Sequence, residues 1–222
     1  MTAATPRRFY AAPGSKDRNG GTVSEQTFGE SVRSRVLSLG TLPVACTVVV
    51  GINALYILLV AIGNITDYGT NFDFVSHVLS MDTTNFGAPP GEGLDSDVMW
   101  RAIEATWFHH LAYIGVIIWE SAAAVVLLCS VWAWLRASRT RSFDLPRRLG
   151  TIGLVMILVL FMGGFITIGG EWFQMWRSTS WNGLEPAFRN SVLAAFGIVL
   201  MHLPSPQWAA MADESADGLL AR

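Results

Sequence analysis

One carboxyl and two imidazoles sit in or against the apolar stretch from Trp107 to Trp134. Glu120 falls near its middle, and His109 and His110 lie near one end. A carboxyl in hydrocarbon is costly unless it faces protein or water, so by default such a residue points to function. Tyr113, Val116, Glu120, Ala123 and Leu127 repeat at helical spacing. His109 joins their face, because eleven residues make close to three turns. At 1.5 Å per residue it lies about 16 Å from Glu120 along the helix, too far to share a metal ion with it. Two readings of Glu120 follow: a structural glutamate bonded to a neighbouring helix, or a station for a proton or ion.

Other groups flank this stretch. His109 and His110 are adjacent and point roughly 100° apart on a helix, so a metal site would need further ligands such as His77, Asp67 or Glu171. Interfacial hydrogen bonding is the simpler role for both. Haem held by paired histidines is weaker still, because His202 falls at the opposite end of its span. Glu171 and Arg189 stand at the facing ends of two successive apolar runs, where an ion pair would ease the cost of each charge. Cys46 and Cys129 both lie in apolar runs and are expected to be reduced. No cofactor is specified, and no nucleotide fingerprint, catalytic triad or nucleic-acid patch is visible.

These groups need elements to hold them, and the composition says which kind. The chain has 222 residues, 51% hydrophobic and only 14% charged, with mean hydropathy +0.40. Soluble domains carry about 25% charged residues, so the deficit points to a membrane protein. A crossing helix needs roughly 20 apolar residues. Four runs qualify, at about 42–63, 108–135, 149–170 and 186–203. The expected fold is an all-α, antiparallel four-helix transmembrane bundle with a small helical extracytoplasmic cap, over residues 41–204. Residues 1–40 read as a basic, largely disordered tail, because they lack an apolar run to offset their ordering entropy. Residues 205–222 read as a loose second tail.

The connection over 64–106 is acidic: Asp67, Asp73, Asp82, Glu92, Asp95, Asp97 and Glu104 against Arg101. Phe72, Val75, Val78 and Leu79 predict a short surface helix over 71–81. Ser96 or Asp97 is a good N-cap for a helix running through Met99, Trp100 and Ile103 into the second span. Gly163, Gly164, Gly169 and Gly170 form a small-residue patch in the third span, of the kind that lets membrane helices approach. Trp100, Trp107, Trp172, Trp176 and Trp181 suit one interfacial belt, and Trp132 and Trp134 the other. The first 40 residues hold six basic side chains and the 136–148 loop five, against one in each other connection. The positive-inside rule then puts both termini in the cytoplasm and makes this a multi-pass protein of the cytoplasmic (inner) membrane.

Asn64-Ile-Thr-Asp-Tyr-Gly-Thr-Asn-Phe, Val78-Leu-Ser-Met-Asp-Thr-Thr, His109-His110 with Trp119-Glu120, and Ile168-Gly-Gly-Glu-Trp-Phe-Gln-Met-Trp with Trp181-Asn-Gly carry a resemblance. On them the chain resembles the bacterial family of predicted small integral membrane proteins, domain of unknown function 2165, over about residues 40–204. The resemblance implies four spans. It implies no activity, cofactor or catalytic residue.

Three functions fit these features. The first is a non-catalytic accessory or scaffold subunit that binds a membrane or periplasmic partner through the acidic cap. The second is a small transporter or proton pathway through Glu120. The third is a metal- or haem-dependent membrane enzyme using the outer histidines. The bilayer is the one partner all three share, and nucleic acid is not expected. Counting inward from Gly63 and from His110 brings Asn53 and Glu120 to a common depth of about 15 Å, so Asn53 is the expected partner of Glu120, with Tyr113 nearby.

Overall fold

The computed structural model describes residues 39–208, apart from residue 141 and the side chains at 138 and 140, together with residues 33, 36 and 37. Most of the tail expected to be disordered, and most of the C-terminal tail, fall outside these residues. Residues 1–41 and 42–222 cluster as two units. In the first, Arg33, Val36, Leu37 and Leu39 are helical and exposed.

The second unit is built from α1 (Leu42–Thr66), α2 (Tyr68–Ser80), α3 (Thr106–Thr140), α4 (Asp144–Leu158) and α5 (Leu184–His202). No strand occurs among the described residues. α4 runs on without a break into a wider π-helix, Val159–Trp172, so the third long helix covers Asp144–Trp172. These four long helices are each long and apolar enough to cross a membrane. α1 packs against α3, α3 against α4 and α4 against α5, which closes back on α1.

A helix that is apolar all round is sorted by side-chain size and polarity rather than by hydrophobicity, because lipid tails and the bundle interior are equally apolar. On α1 the inner row is Cys46, Val50, Ala54, Ile57, Ala61 and Asn64, while Val48, Ile52, Leu55, Leu59 and Ile62 face outward. α5 repeats the pattern, with Ala187, Asn190, Ser191, Ala194 and Gly197 inside and Phe188, Val192, Leu193 and Phe196 outside. The closest approaches use glycines that the patch at 163–170 only partly foresees. A Cβ at Gly153 would meet Leu127 of α3 at 2.5 Å, and one at Gly197 would meet Leu154 at 2.8 Å. At Gly163 and Gly164 a Cβ would meet nothing within 4 Å. Interhelical bonds finish the packing: Trp119 Nε1 donates to the Met156 carbonyl (2.9 Å) and Ser130 Oγ to the Pro146 carbonyl (2.8 Å). Arg147 Nε caps the last turn of α5 at the Met201 carbonyl (2.8 Å) and lies over Trp208, in the short 3₁₀ turn Pro206–Trp208.

The opposite end carries α2 and the connections over 81–105 and 173–183, and is called here the cap end. The helix expected to run from Ser96 or Asp97 into α3 does not form. A 3₁₀ turn at Met99–Arg101 ends at Ala102, whose backbone is extended (φ −62°, ψ 140°). The Ile103 N–H then donates to the Leu79 carbonyl (2.8 Å), one of the free acceptors at the end of α2. That bond diverts the chain and delays α3 to Thr106. Met81 closes α2 in the left-handed conformation (φ 55°) and is fully buried with Val98 and Phe173 in a small core of its own. Thr83 accepts from Ser178 (3.0 Å), Phe86 N–H donates to the Arg177 carbonyl (3.0 Å), and Arg177 pairs with Asp95 (2.9 Å). The two connections are therefore braced against each other.

Candidate functional site

Beneath α2, at the cap end, lies a cavity of about 350 Å³ that α1, α2, α3 and the π-helix all line. The π geometry shapes it. Thr167 Oγ1 donates to the Met162 carbonyl (2.8 Å) and Phe173 N–H to the Ile168 carbonyl (3.0 Å), both five residues back. With that wider turn Leu160, Phe165, Gly169 and Phe173 stand in one row along the cavity. In an α-helix Phe173 would lie about 140° away from Leu160. Such wide turns usually come singly and often mark functional sites; here the segment is 14 residues long. α2 roofs the cavity with Phe74, Val75, Val78 and Leu79. The roof meets Gly183, where a Cβ would come within 2.9 Å of Phe74.

The polar part of the lining is a hydrogen-bonded line. Asn71 Nδ2 donates to Asn64 Oδ1 (2.6 Å), and Asn64 Nδ2 donates to Glu120 Oε2 (2.6 Å). Asn71 is exposed, while Asn64 and Glu120 are 5% and 3% exposed, so the line runs from the surface to a buried carboxyl. Among the described residues Asn64 is the hydrogen-bond partner of that carboxyl. Tyr113, also buried, donates to the Asn64 backbone carbonyl (3.4 Å). Tyr56 adds a second phenol to the lining and accepts from the Asn190 amide (2.7 Å).

The partner expected for Glu120 is thus corrected. Asn53 is half-buried and its amide donates to the Val49 carbonyl (2.8 Å) one turn back in its own helix. The cause is axial register. Glu120 lies fourteen residues, about 21 Å, from the start of α3, whereas Asn64 is two residues from the end of α1. α3 therefore overshoots α1 by roughly 18 Å at the cap end. α2 packs along that overhang, and Glu120 meets the last turn of α1 rather than its middle.

The expected ion pair between Glu171 and Arg189 is also corrected. Arg189 reaches Glu185 (3.5 Å), four residues back on α5, where helical neighbours meet without any tertiary contact. Glu171 is exposed near the end of the π-helix and forms no ion pair among the described residues.

The histidines brace the cap. His109 Nε2 donates to the Ile103 carbonyl (2.6 Å), an acceptor that fixes the proton on that nitrogen. His110 Nδ1 bonds Tyr68 Oη (2.9 Å) and stacks on Phe72 with ring centres 4.0 Å apart, tying α2 to α3. His77 bonds Asp82 (2.8 Å) and stacks on Trp181 at 4.6 Å. No three His, Cys, Asp or Glu side chains converge on a metal site among the described residues. The Arg177 guanidinium beside Asp95, helped by the Asp97 N–H, holds the Asp95 carboxyl below its ordinary value. Cys46 is a buried and Cys129 an exposed free thiol.

The profile of the family described as "predicted small integral membrane protein (DUF2165)" matches residues 42–204. The chain belongs to that family. It is a small integral membrane protein, and the matched segment holds α1 to α5 and every residue of the cavity. No curated protein and no solved structure matches the chain. Of the polar residues lining the cavity, Glu120 and Tyr113 were expected from the sequence, and Asn64 and Asn71 were not. Both lie in the Asn64–Phe72 motif, yet nothing in their spacing places them against a carboxyl on another helix.

Proposed function

We propose that this protein is a non-catalytic binding subunit that holds a small amphipathic molecule in the capped cavity. The observation that carries the reading is the 350 Å³ space itself, roofed by α2, with a buried carboxyl at its edge. Small-molecule sites of this kind are mostly apolar, with a few placed polar groups, and begin at about 300 Å³. The lining supplies aliphatic and aromatic surface, two amides and two phenols, groups that hold a ligand and orient it. In nanodiscs, a diazirine-bearing alkyl alcohol should label α2 and the π-helix saturably, with competition by unlabelled alcohol. Val116→Phe, between Tyr113 and Glu120 on the same face, should reduce that labelling. Unsaturable labelling confined to lipid-facing positions such as Ile118 and Phe196 would overturn the reading.

A second reading draws on the amide line. Asn71 and Asn64 join the surface to Glu120, so the carboxyl has a polar route to the cap end along which a proton or small cation could be exchanged. Proteoliposomes loaded with a pH dye test it, and a proton flux unchanged in Glu120→Gln would discard it. We also propose, on the arginine count, that both termini face the cytoplasm. The acidic cap is then the face a larger partner would meet, and stoichiometric co-elution in mild detergent checks that contact.

A further inference from the structure

We infer that the cavity selects a lipophilic cation: an ammonium or amidinium group on a compact aromatic or branched apolar body. This inference rests on the binding function proposed above and names the chemical class of its ligand. Glu120 is the one acidic side chain among the residues lining the cavity; no Lys, Arg or His lines it. An anion would be buried beside a carboxyl with no counter-charge, at a cost few contacts offset. A neutral molecule would satisfy the apolar wall and at most hydrogen-bond the carboxyl, without pairing a charge with it. A cation gains from both, because the wall is rich in rings. Tyr56, Phe74, Tyr113, Phe161 and Phe165 all line the space, and the face of an aromatic ring attracts a desolvated cation.

Two further features agree. Asn64 occupies one carboxyl oxygen and, among the described residues, nothing else bonds that carboxyl, so its second oxygen has no protein donor competing with a ligand. The approach is acidic as well: Asp67 and Asp73 are exposed on either side of Asn71, within a connection carrying seven acidic residues and one arginine. Such a field raises the local concentration of cations and their rate of entry. The apolar body has a size limit, since the space is near the lower bound for drug-sized ligands.

The test uses three probes of one shape: 2-naphthylmethylammonium, 2-naphthylmethanol and 2-naphthoate. Equilibrium dialysis against protein-loaded and empty nanodiscs corrects for partition into lipid. The cation should bind saturably and at least roughly tenfold tighter than the alcohol, with the naphthoate weakest. Glu120→Gln keeps an acceptor for the Asn64 amide and should bring the cation's affinity to that of the alcohol. If that variant does not fold, the order of the three probes on the natural protein decides alone. An alcohol that binds as tightly as the cation, or a favoured naphthoate, overturns the ligand class and leaves the binding function standing. No saturable binding of any probe removes both.

Discussion

Replacing Asn64 by leucine keeps the size of the side chain and deletes both amide bonds of the buried line. Glu120 then loses its partner from the described residues, and Asn71 loses its contact with α1. An unpaired buried polar group costs about 1–3 kcal/mol in soluble interiors. Interhelical bonds in bilayers are measured lower, at about 0.6 kcal/mol on average and up to about 1.7. The cavity beside Glu120 can admit a water to replace part of the loss, which puts the expectation at about 1–2 kcal/mol. For a chain of this size that lowers Tm by about 2–8 °C. Asn53→Leu is the matched control. Its amide bonds only its own helix, at a half-buried position, so its effect should stay within about 0.5 kcal/mol. Thermal unfolding in one detergent, followed by intrinsic fluorescence, compares the two. A double-mutant cycle of Asn64→Leu with Glu120→Leu should return a coupling of about 0.6–1.7 kcal/mol. Equal loss in the two asparagine variants, or strict additivity in the cycle, would refute the placement of Glu120 against the end of α1.

Three further outcomes are expected. Gly153→Ala should destabilise by about 1–3 kcal/mol, because its methyl would sit 2.5 Å from Leu127 on the facing helix, whereas Gly163→Ala, with open space at its Cβ, should be near neutral in the same melts. The pairing of Asp95 with Arg177 stabilises the cap while the carboxylate is ionised. Since its folded value is depressed, that contribution is present above the unfolded value and disappears as pH falls through the folded one; Asp95→Asn should flatten this acid-side part of the melting profile. A cysteine introduced at Ser138 should resist an impermeant thiol reagent in intact cells while one at Gly91 reacts, and the reverse pattern would invert the proposed orientation.

Much of the frame was legible because hydrocarbon is a demanding solvent. A span needs length and apolarity, so four runs announced four helices, and the 3.6-residue period put His109, Tyr113, Glu120, Ala123 and Leu127 on the face that the bundle buries, with Val116 half-buried beside them. The α2 helix was legible for the same reason, from Phe72, Val75, Val78 and Leu79. Tertiary structure alone decided how far each helix slides along its neighbour. Apolar helices carry no mark of axial register, so counting from span ends put Asn53 opposite Glu120. The bond from Ile103 to Leu79, the overhang of α3 and the packing of α2 against it put Asn64 there instead. The π geometry was equally hidden, because the glycine pairs permit a wider turn without requiring one. The ion pair failed for a third reason: Glu185, one turn from Arg189 on the same helix, needs no tertiary structure to reach it, and Glu171 does.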